Sequence, residues 1–481
     1  MKMTINGEKV DSSDQKTMEI WDPAAHAVID TVPCASTEDL DRALQAAQMG
    51  KEIWGDTPVQ KRTEILCRAA ELIEKEKKEL ATLLVRETGK IYPQAEEEID
   101  NAVALFSGYA QKVRHIYDSV LPDAEAKSII MVKREPVGVV ACIVPYNFPI
   151  DLYSHKVAPA LAAGNAVIVK PASDTPLADI YLTDLLIRAG VPAPAIQVVT
   201  GKGSVVGNYL AESPLVNAVS LTGSTQAGIS VREASAKNLS RVYLELGGND
   251  AMIIFDDVDP KEAAKEAVNG RILNAGQACC SAKRFLVQKG IKDAFIRELS
   301  AILSDIKIGD PFDPDTQMGA LINETAAVEV ERAVRETVAA GAVCVLGGKR
   351  FNRNYFEPTI LDQVTREMDI ARNQEVFGPV FPVIAFDTAE EAIEIANQSH
   401  YGLSGGIMCG DLEKAYYIAG KLDTGGVILN GSGLYRTFDM PFGGHKLSGM
   451  GNEGFYNTLD EMFKVKSIVF KNFCKSNDVN S

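Results

Sequence analysis

Val137-Gly138-Val139-Val140-Ala141-Cys142-Ile143-Val144 and, further on, Ala166-Val167-Ile168-Val169-Lys170 decide the fold. Both are short, continuous apolar runs rich in β-branched residues, the pattern of strands buried on both faces. AIQVVTG at 195–201, AVSLTGS at 218–224, RVYLELGG at 241–248 and AMIIFD at 251–256 repeat it, and helical stretches such as LADIYLTDLLIRAG at 177–190 intervene. Strands that alternate with helices predict a parallel sheet covered on both sides. From 261 to 429 the alternation recurs, with helices near PKEAAKEAVNG and ETAAVEVERAVRETVAAG and strands near FLVQ, VIAFD and GIMCG. A second α/β unit is therefore expected. Upstream, residues 36–114 carry apolar positions three and four apart, as in EILCRAAELIEKEKKELATLL, and predict amphipathic helices. Downstream, FKVKSIVFKN at 463–472 alternates and suits an edge strand, for which another subunit is a candidate partner.

The 481 residues, 46% hydrophobic and 24% charged, describe a globular protein of two or three domains with cores large enough to need no disulfides. A net charge of −16 opposes phosphate backbones and anionic lipid, so neither nucleic acid nor membrane is an expected partner. The opening MKMTINGEKVDSSDQ lacks the apolar core of a signal peptide, and no apolar run reaches the roughly 18 to 20 residues that span a bilayer. A cytoplasmic location is expected. Eight cysteines, at 34, 67, 142, 279, 280, 344, 409 and 474, show no C-x-x-C spacing and read as mostly reduced, buried small hydrophobes. Five histidines, without H-E-x-x-H or an EF-hand loop, offer no visible ligand set, so no metal is expected.

Open α/β sheets bind ligands beyond the carboxyl ends of their strands, and four loops there are unusual. Pro145-Tyr146-Asn147-Phe148-Pro149 holds an amide between two prolines, placed either to donate to an oxyanion or simply to make a turn. Lys170-Pro171-Ala172-Ser173-Asp174-Thr175-Pro176 puts a lysine at a strand end, suited to a phosphate or ribose hydroxyl, or to the surface beside a helix cap. Gly201, Gly203 and Gly207, followed by Thr222-Gly223-Ser224-Thr225, form G-x-G-x-x-x-G, not the G-x-G-x-x-G dinucleotide fingerprint, and carry little alone. Finally, Glu245-Leu246-Gly247-Gly248 ends a strand, and Asn274-Ala275-Gly276-Gln277-Ala278-Cys279-Cys280-Ser281 sets a cysteine in a small, Gly-containing loop. A thiol there can approach a substrate closely while a carboxylate accepts its proton or activates water. Composition alone favours a buried structural cysteine pair.

Taken in order, PYNFP, KPASDTP, LTGST, LELGG, NAGQACC, EVFGPV at 375–380 and PFGGHKLSG at 441–449 resemble the aldehyde dehydrogenase superfamily over nearly the whole chain. The resemblance implies an α/β fold with a Rossmann-like cofactor domain (1–117 and 138–245) and an α/β catalytic domain (246–437). A small β bridging or oligomerisation element (118–137 and 438–481) would complete a homodimer or homotetramer. It further implies that Cys279 is the nucleophile and Cys280 a bystander, that Asn147 and the Cys279 N–H form the oxyanion hole, and that Glu245 activates the water that hydrolyses a thioester. CoA-acylating relatives commonly lack that glutamate, so a free acid is the expected product. For NAD or NADP, the resemblance puts Lys170 on the adenosine ribose, Ser224 with Gly223 near the pyrophosphate, and Glu375 on the nicotinamide ribose with Phe377 beside it. Ser173 stands where NAD-preferring members often carry Glu, so NADP is expected to be tolerated and is favoured by that serine. The alternative is that Ser173 caps the helix and Asp174 restores repulsion of a 2′-phosphate.

NFPIDLYSHKVAPALAAGN and LYRTFDMPFGGHKLSG resemble the branch that acts on lactaldehyde, glycolaldehyde and related small polar aldehydes. His155 and Arg436 are the substrate residues this implies, although Arg436 equally suits a subunit-interface salt bridge. Succinate-semialdehyde dehydrogenases and some lactaldehyde dehydrogenases have Arg in place of His155, and non-phosphorylating glyceraldehyde-3-phosphate dehydrogenases have Arg in place of Ala278. Each alternative loses a charge-assisted contact here. A thiol hydrolase would need a histidine beside Cys279, and none lies in the four loops. A serine hydrolase reading of Gly402-Leu403-Ser404-Gly405-Gly406 lacks the helix of a nucleophile elbow. A catalytically silent binding protein of the same fold would be expected to have lost Cys279, Glu245 or Asn147. Oxidation of a small polar aldehyde to its acid is the expected function.

Overall fold

The computed structural model describes residues 1–125 and 127–473, so Cys474 and the end of the 438–481 segment lie outside the described residues. Ile196–Val198, Ala166–Lys170, Val139–Ile143, Ala218–Thr222 and Arg241–Glu245 run parallel, in that spatial order, through the first sheet. Antiparallel strands extend it, Met3–Ile5 and Glu8–Val10 at one edge and Gly449–Met450 at the other. Its central strands are buried at every residue, which is why they read as unbroken apolar runs. The chain builds from Val139–Ile143 toward one edge, then returns to the other side with Ala218–Thr222. The strand order thus reverses between these two neighbours, and a crevice opens beyond their carboxyl ends. The 145–149 and 222–225 loops lie at that reversal.

Thr37–Gly55, Val59–Lys75, Lys77–Thr88 and Tyr92–Lys112 are the expected helices. The first begins at a capping box made by Ser36 and Asp39, and its buried Trp54 donates the indole N–H to the Leu161 carbonyl at 2.8 Å. Pro149 opens the Pro149–Ala163 helix where no N–H is needed, and Gly164, at φ 98°, ends it in the left-handed conformation. The first turn of Leu177–Ala189 is held from outside: fully buried Glu87 accepts the N–H groups of Leu177 and Ala178 at 2.7 and 2.9 Å. Ser173 therefore caps no helix, contrary to one sequence reading; its hydroxyl donates to the Gly201 carbonyl at 3.2 Å.

The second sheet orders Thr359–Asp362, Val380–Phe386, Ala282–Gln288, Asp250–Ile254, Gly405–Met408 and Ile428–Leu429 in parallel, with Val343–Leu346 antiparallel at its edge. Only the 246–249 turn separates Arg241–Glu245 of the first sheet from Asp250–Ile254 of the second, so the two sheets meet there. The third sheet is small. Phe463–Phe470 pairs along its whole length with Ile129–Pro136, and Ser119–Leu121 lies beyond. The alternating tail is thus an edge strand, paired on one side with Ile129–Pro136 of the same chain.

No described helix is long and apolar enough to cross a membrane. Among the described cysteines only Cys142 and Cys409 are buried; the others sit on helix faces, loops or an edge strand and keep some exposure, which corrects the expectation of mostly buried thiols. A tight approach between Thr37–Gly55 and the 193–195 turn offers a stability test. A Cβ on Gly50 would lie 1.9 Å from the Pro194 carbonyl oxygen. Gly50→Ala is expected to lower the thermal midpoint and to cost about 2–3 kcal/mol by urea unfolding.

Candidate active site

The loop that carries Cys279 turns through three consecutive positive-φ residues, Asn274, Ala275 and Gly276, at 49°, 54° and 80°. Such a turn directs carbonyl oxygens inward, and buried donors meet them. Arg271 donates to the carbonyls of Gly276 (3.3 Å), Val376 (2.6 Å) and Val380 (2.9 Å) and to Ser281 Oγ (2.6 Å). Lys283, 1% exposed, donates to the carbonyls of Ala278 (2.9 Å) and Cys279 (2.6 Å). Asn147 joins the same loop: its Nδ2 donates to the Gln277 carbonyl at 3.0 Å, while its own carbonyl accepts from Asn274 Nδ2 at 2.8 Å and Lys90 Nζ at 2.9 Å. The structure therefore brings Asn147 and the Cys279 loop into direct contact from opposite sheets. The neighbouring Cys280 thiol and burial hold Cys279 well above the usual thiol range, and Lys283 opposes them.

Glu245 ends its strand 5% exposed, with Oε2 buried and unpartnered. Burial first, then the nearby Glu453 and Cys279, push its carboxyl well above the carboxylate range. The two glycines that follow are there for space. A Cβ on Gly248 would lie 2.8 Å from the Cys279 carbonyl oxygen, and one on Gly247 would lie 2.3 Å from Glu375 Oε2. Glu375 accepts the Gly248 N–H at 3.0 Å and lies 3.5 Å from Lys283.

Cys279, Glu245, His155 and Arg436 line one cavity of about 270 Å³, together with Asp151, Phe148, Phe438 and Glu453. Arg436 donates to Glu453 at 2.9 Å and reaches toward His155 Nδ1 at 3.5 Å. Lys156, one residue after His155, donates to Thr222 Oγ1 at 2.6 Å and to Glu453 at 3.4 Å. Burial alone would raise Glu453, but His155, Lys156 and Arg436 prevail and bring it to about 2. Burial, aided by Arg436, brings His155 to about 3, so the imidazole is neutral. A histidine does share the cavity with Cys279, which the loop-by-loop reading missed. Its ring nitrogens face Arg436 and Glu453 on one side and Asp151 on the other, and it makes no bond to the thiol. Ser404 of the G-x-S-x-G stretch is 4% exposed and precedes the strand Gly405–Met408, not a helix, so the serine hydrolase reading fails.

The expected cofactor residues lie apart from that cavity. Lys170 is 3% exposed, not a surface lysine, and burial brings its ammonium down to about 8. Its Nζ sits 3.7 Å from where a Cβ on Gly203 would be. Ser224 caps Thr225–Ala236 by accepting the Ala227 N–H at 3.2 Å, and the Gly223 N–H donates to the Glu245 carbonyl at 3.0 Å. Phe377 meets Tyr146 edge-on, with ring centroids 6.2 Å apart.

Residues 9–468 match the model of the aldehyde dehydrogenase family. The chain belongs to that family. As an aldehyde dehydrogenase it is an oxidoreductase. It is 36% identical to a glutarate-semialdehyde dehydrogenase of Pseudomonas putida, over 96% of each chain. It is 35% identical to a lactaldehyde dehydrogenase of Methanococcus aeolicus, over 97% of this chain and 99% of the relative. A crystal structure of an E. coli NADP-dependent enzyme superposes with a TM-score of 0.95 at 35% identity, covering 98% of both chains.

Sequence reasoning missed Arg271, Lys283, Lys156, Asp151 and Glu453 in this aldehyde dehydrogenase. The only sequence signal for Lys283 was its position just after Cys279, and Glu453 carried none without the fold. Lys283→Met removes the donor to two buried carbonyls. It is expected to cost about 2 kcal/mol by urea unfolding. Iodoacetamide labelling of Cys279 should slow by up to about tenfold, because the nearby cation that favours the thiolate is gone.

Proposed function

We propose that this aldehyde dehydrogenase oxidises a small, uncharged polar aldehyde of the lactaldehyde or glycolaldehyde kind to its free carboxylic acid with NAD or NADP. One observation carries the reading. Cys279 and Glu245 face a single small cavity whose only lining cation among the described residues, Arg436, is already paired with Glu453. A cavity of about 270 Å³ is at the small end for ligand sites. A carboxylate-bearing semialdehyde, or a sugar phosphate, would have to displace Glu453 to gain that guanidinium.

The Cys279 sulfur attacks the aldehyde carbonyl: its proton passes to water, the C–S bond forms and the carbonyl π electrons move onto the oxygen. Asn147 Nδ2 and the Cys279 N–H are the donors for the oxygen that becomes negative; the Gln277 carbonyl orients the Asn147 side-chain amide, and Lys90 and Asn274 hold its backbone carbonyl. When bound, NAD or NADP supplies the hydride acceptor. The residues fit a dinucleotide: Lys170 and Ser173 would hold the adenosine ribose, Gly223 and Ser224 the pyrophosphate, and Glu375 with Phe377 the nicotinamide ribose. The space at Gly247 leaves the Glu375 side chain its place there. Ser173 carries no charge against a 2′-phosphate, which supports NADP use. Glu245, once ionised, takes a proton from the water that releases the acid from the thioester. The 1–117 and 138–245 segments would form the cofactor domain, 246–437 the catalytic domain, and 118–137 with 438–481 the bridging element of a cytoplasmic homodimer or homotetramer.

Absorbance of reduced cofactor tests this, with lactaldehyde, glycolaldehyde, succinate semialdehyde and glyceraldehyde 3-phosphate, each with NAD and NADP. Lactaldehyde or glycolaldehyde should give the highest kcat/KM, with NADP at least as effective as NAD. Cys279→Ala should lose at least about 10³-fold. Equal turnover by that variant would sink the thiol mechanism. Glu245→Gln should release one equivalent of reduced cofactor and then slow by about 10²- to 10⁴-fold. Because the Glu245 ionisation is raised, its base form grows as pH rises. Steady-state turnover limited by thioester hydrolysis should therefore keep climbing at pH values above the ordinary carboxylate range, and Glu245→Gln should abolish that rise.

A further inference from the structure

One carboxyl on the cavity wall has no part in the bond-making steps. Asp151 stands in the first turn of the Pro149–Ala163 helix, where Glu98 fixes it by accepting the backbone N–H groups of Ile150 and Asp151 at 2.8 and 3.2 Å. Glu98 is itself held by the buried Lys90. The Asp151 side chain lines the cavity and keeps 18% exposure, while its Oδ1 is buried without a hydrogen-bond partner. The nearest ring nitrogen, His155 Nε2, is 3.9 Å away, beyond hydrogen-bond length.

The groups around it explain why the carboxyl stays unsatisfied. Arg436 reaches toward His155 Nδ1 at 3.5 Å, which makes Nδ1 the accepting nitrogen and leaves the proton on Nε2, facing Asp151. The imidazole is neutral, and Arg436 is bonded to Glu453, so neither forms a salt bridge with Asp151. Oδ1 is closed off against the imidazole, so the 18% exposure belongs to the rest of the carboxyl. The oxygen on that side can accept from a donor brought by a ligand and gains nothing from a ligand that has none. A negatively charged ligand tail would meet Asp151 here and Glu97 at the rim.

We propose that Asp151, positioned by Glu98 and backed by His155, is a specificity-determining residue that accepts a hydrogen bond from a hydroxyl group on the carbon chain of the aldehyde substrate. This deepens the small polar aldehyde reading and rests on it. It sets the substrate class as hydroxyaldehydes, apart from aldehydes with plain alkyl or carboxylate tails.

The test compares kcat/KM of the full-length enzyme for lactaldehyde with that for propanal, which has the same carbon skeleton without the hydroxyl. Succinate semialdehyde and 3-aminopropanal probe the charged alternatives. The wild type should favour lactaldehyde over propanal by about tenfold or more. Asp151→Leu should bring that ratio to about one, chiefly by raising KM for lactaldehyde, and Asp151→Ala should do the same should the leucine variant fail to fold. Asp151→Asn, which keeps an acceptor oxygen, should retain most of the preference. An unchanged ratio in the folded leucine or alanine variant overturns the assignment, as does a wild-type preference for propanal, succinate semialdehyde or 3-aminopropanal. Loss of the broader reading looks different: no aldehyde in the panel would then be turned over in a Cys279-dependent way.

Discussion

The site depends on two buried cations that hold a backbone by its carbonyl oxygens. The 274–276 turn occupies left-handed conformations that only Gly adopts freely; Arg271 holds its Gly276 carbonyl, and Lys283 holds the carbonyls of Ala278 and Cys279 that follow it. Arg271 also reaches the carbonyls of Val376 and Val380. The Cys279 loop and the Glu375 loop are therefore fixed by one side chain, and neither can shift alone. Burial brings Arg271 down to about 9, which still leaves it charged at neutral pH.

Charge inside the cavity is largely settled among the protein's own groups. Glu453 answers Arg436 and Lys156, and Glu98 answers Lys90. What remains is Glu245, whose carboxyl burial pushes well above the usual carboxylate range, and Asp151, which burial pushes up to about 7 against the pull of Arg436. A cavity of this kind has little net attraction for a charged tail. It discriminates by hydrogen bonds, whose loss in a dry site is costly.

Much of the fold was legible because each signal is local. The β-branched runs from Val139 to Ile254 became strands, and the three-and-four spacing from Ser36 to Arg114 became helices, since burial on two faces or on one stripe leaves those periods in the chain. The family resemblance singled out Cys279, Glu245 and Asn147, and the structure places Cys279 and Glu245 on one cavity, with Asn147 bonded to the Cys279 loop. Long-range pairings were not legible. The alternating tail could not reveal that Ile129–Pro136 was its partner, and nothing near Ser173 announced that Glu87 would hold the following helix in its place. His155, expected as a substrate residue, lies outside the four loops because it stands on the Pro149–Ala163 helix.

By itself the sequence determined the succession of elements, the reversal-point loops and the residue types with reactive chemistry, all of which follow from neighbours a few positions apart. Tertiary structure decided the charge states and the partners. Lys156 and Glu453 are 297 residues apart and meet at 3.4 Å. The raised ionisation of Glu245 and the unpaired carboxyl of Asp151 arise only when distant segments exclude water from the same space. Desolvation and ion pairing depend on that enclosure, and no local pattern encodes it.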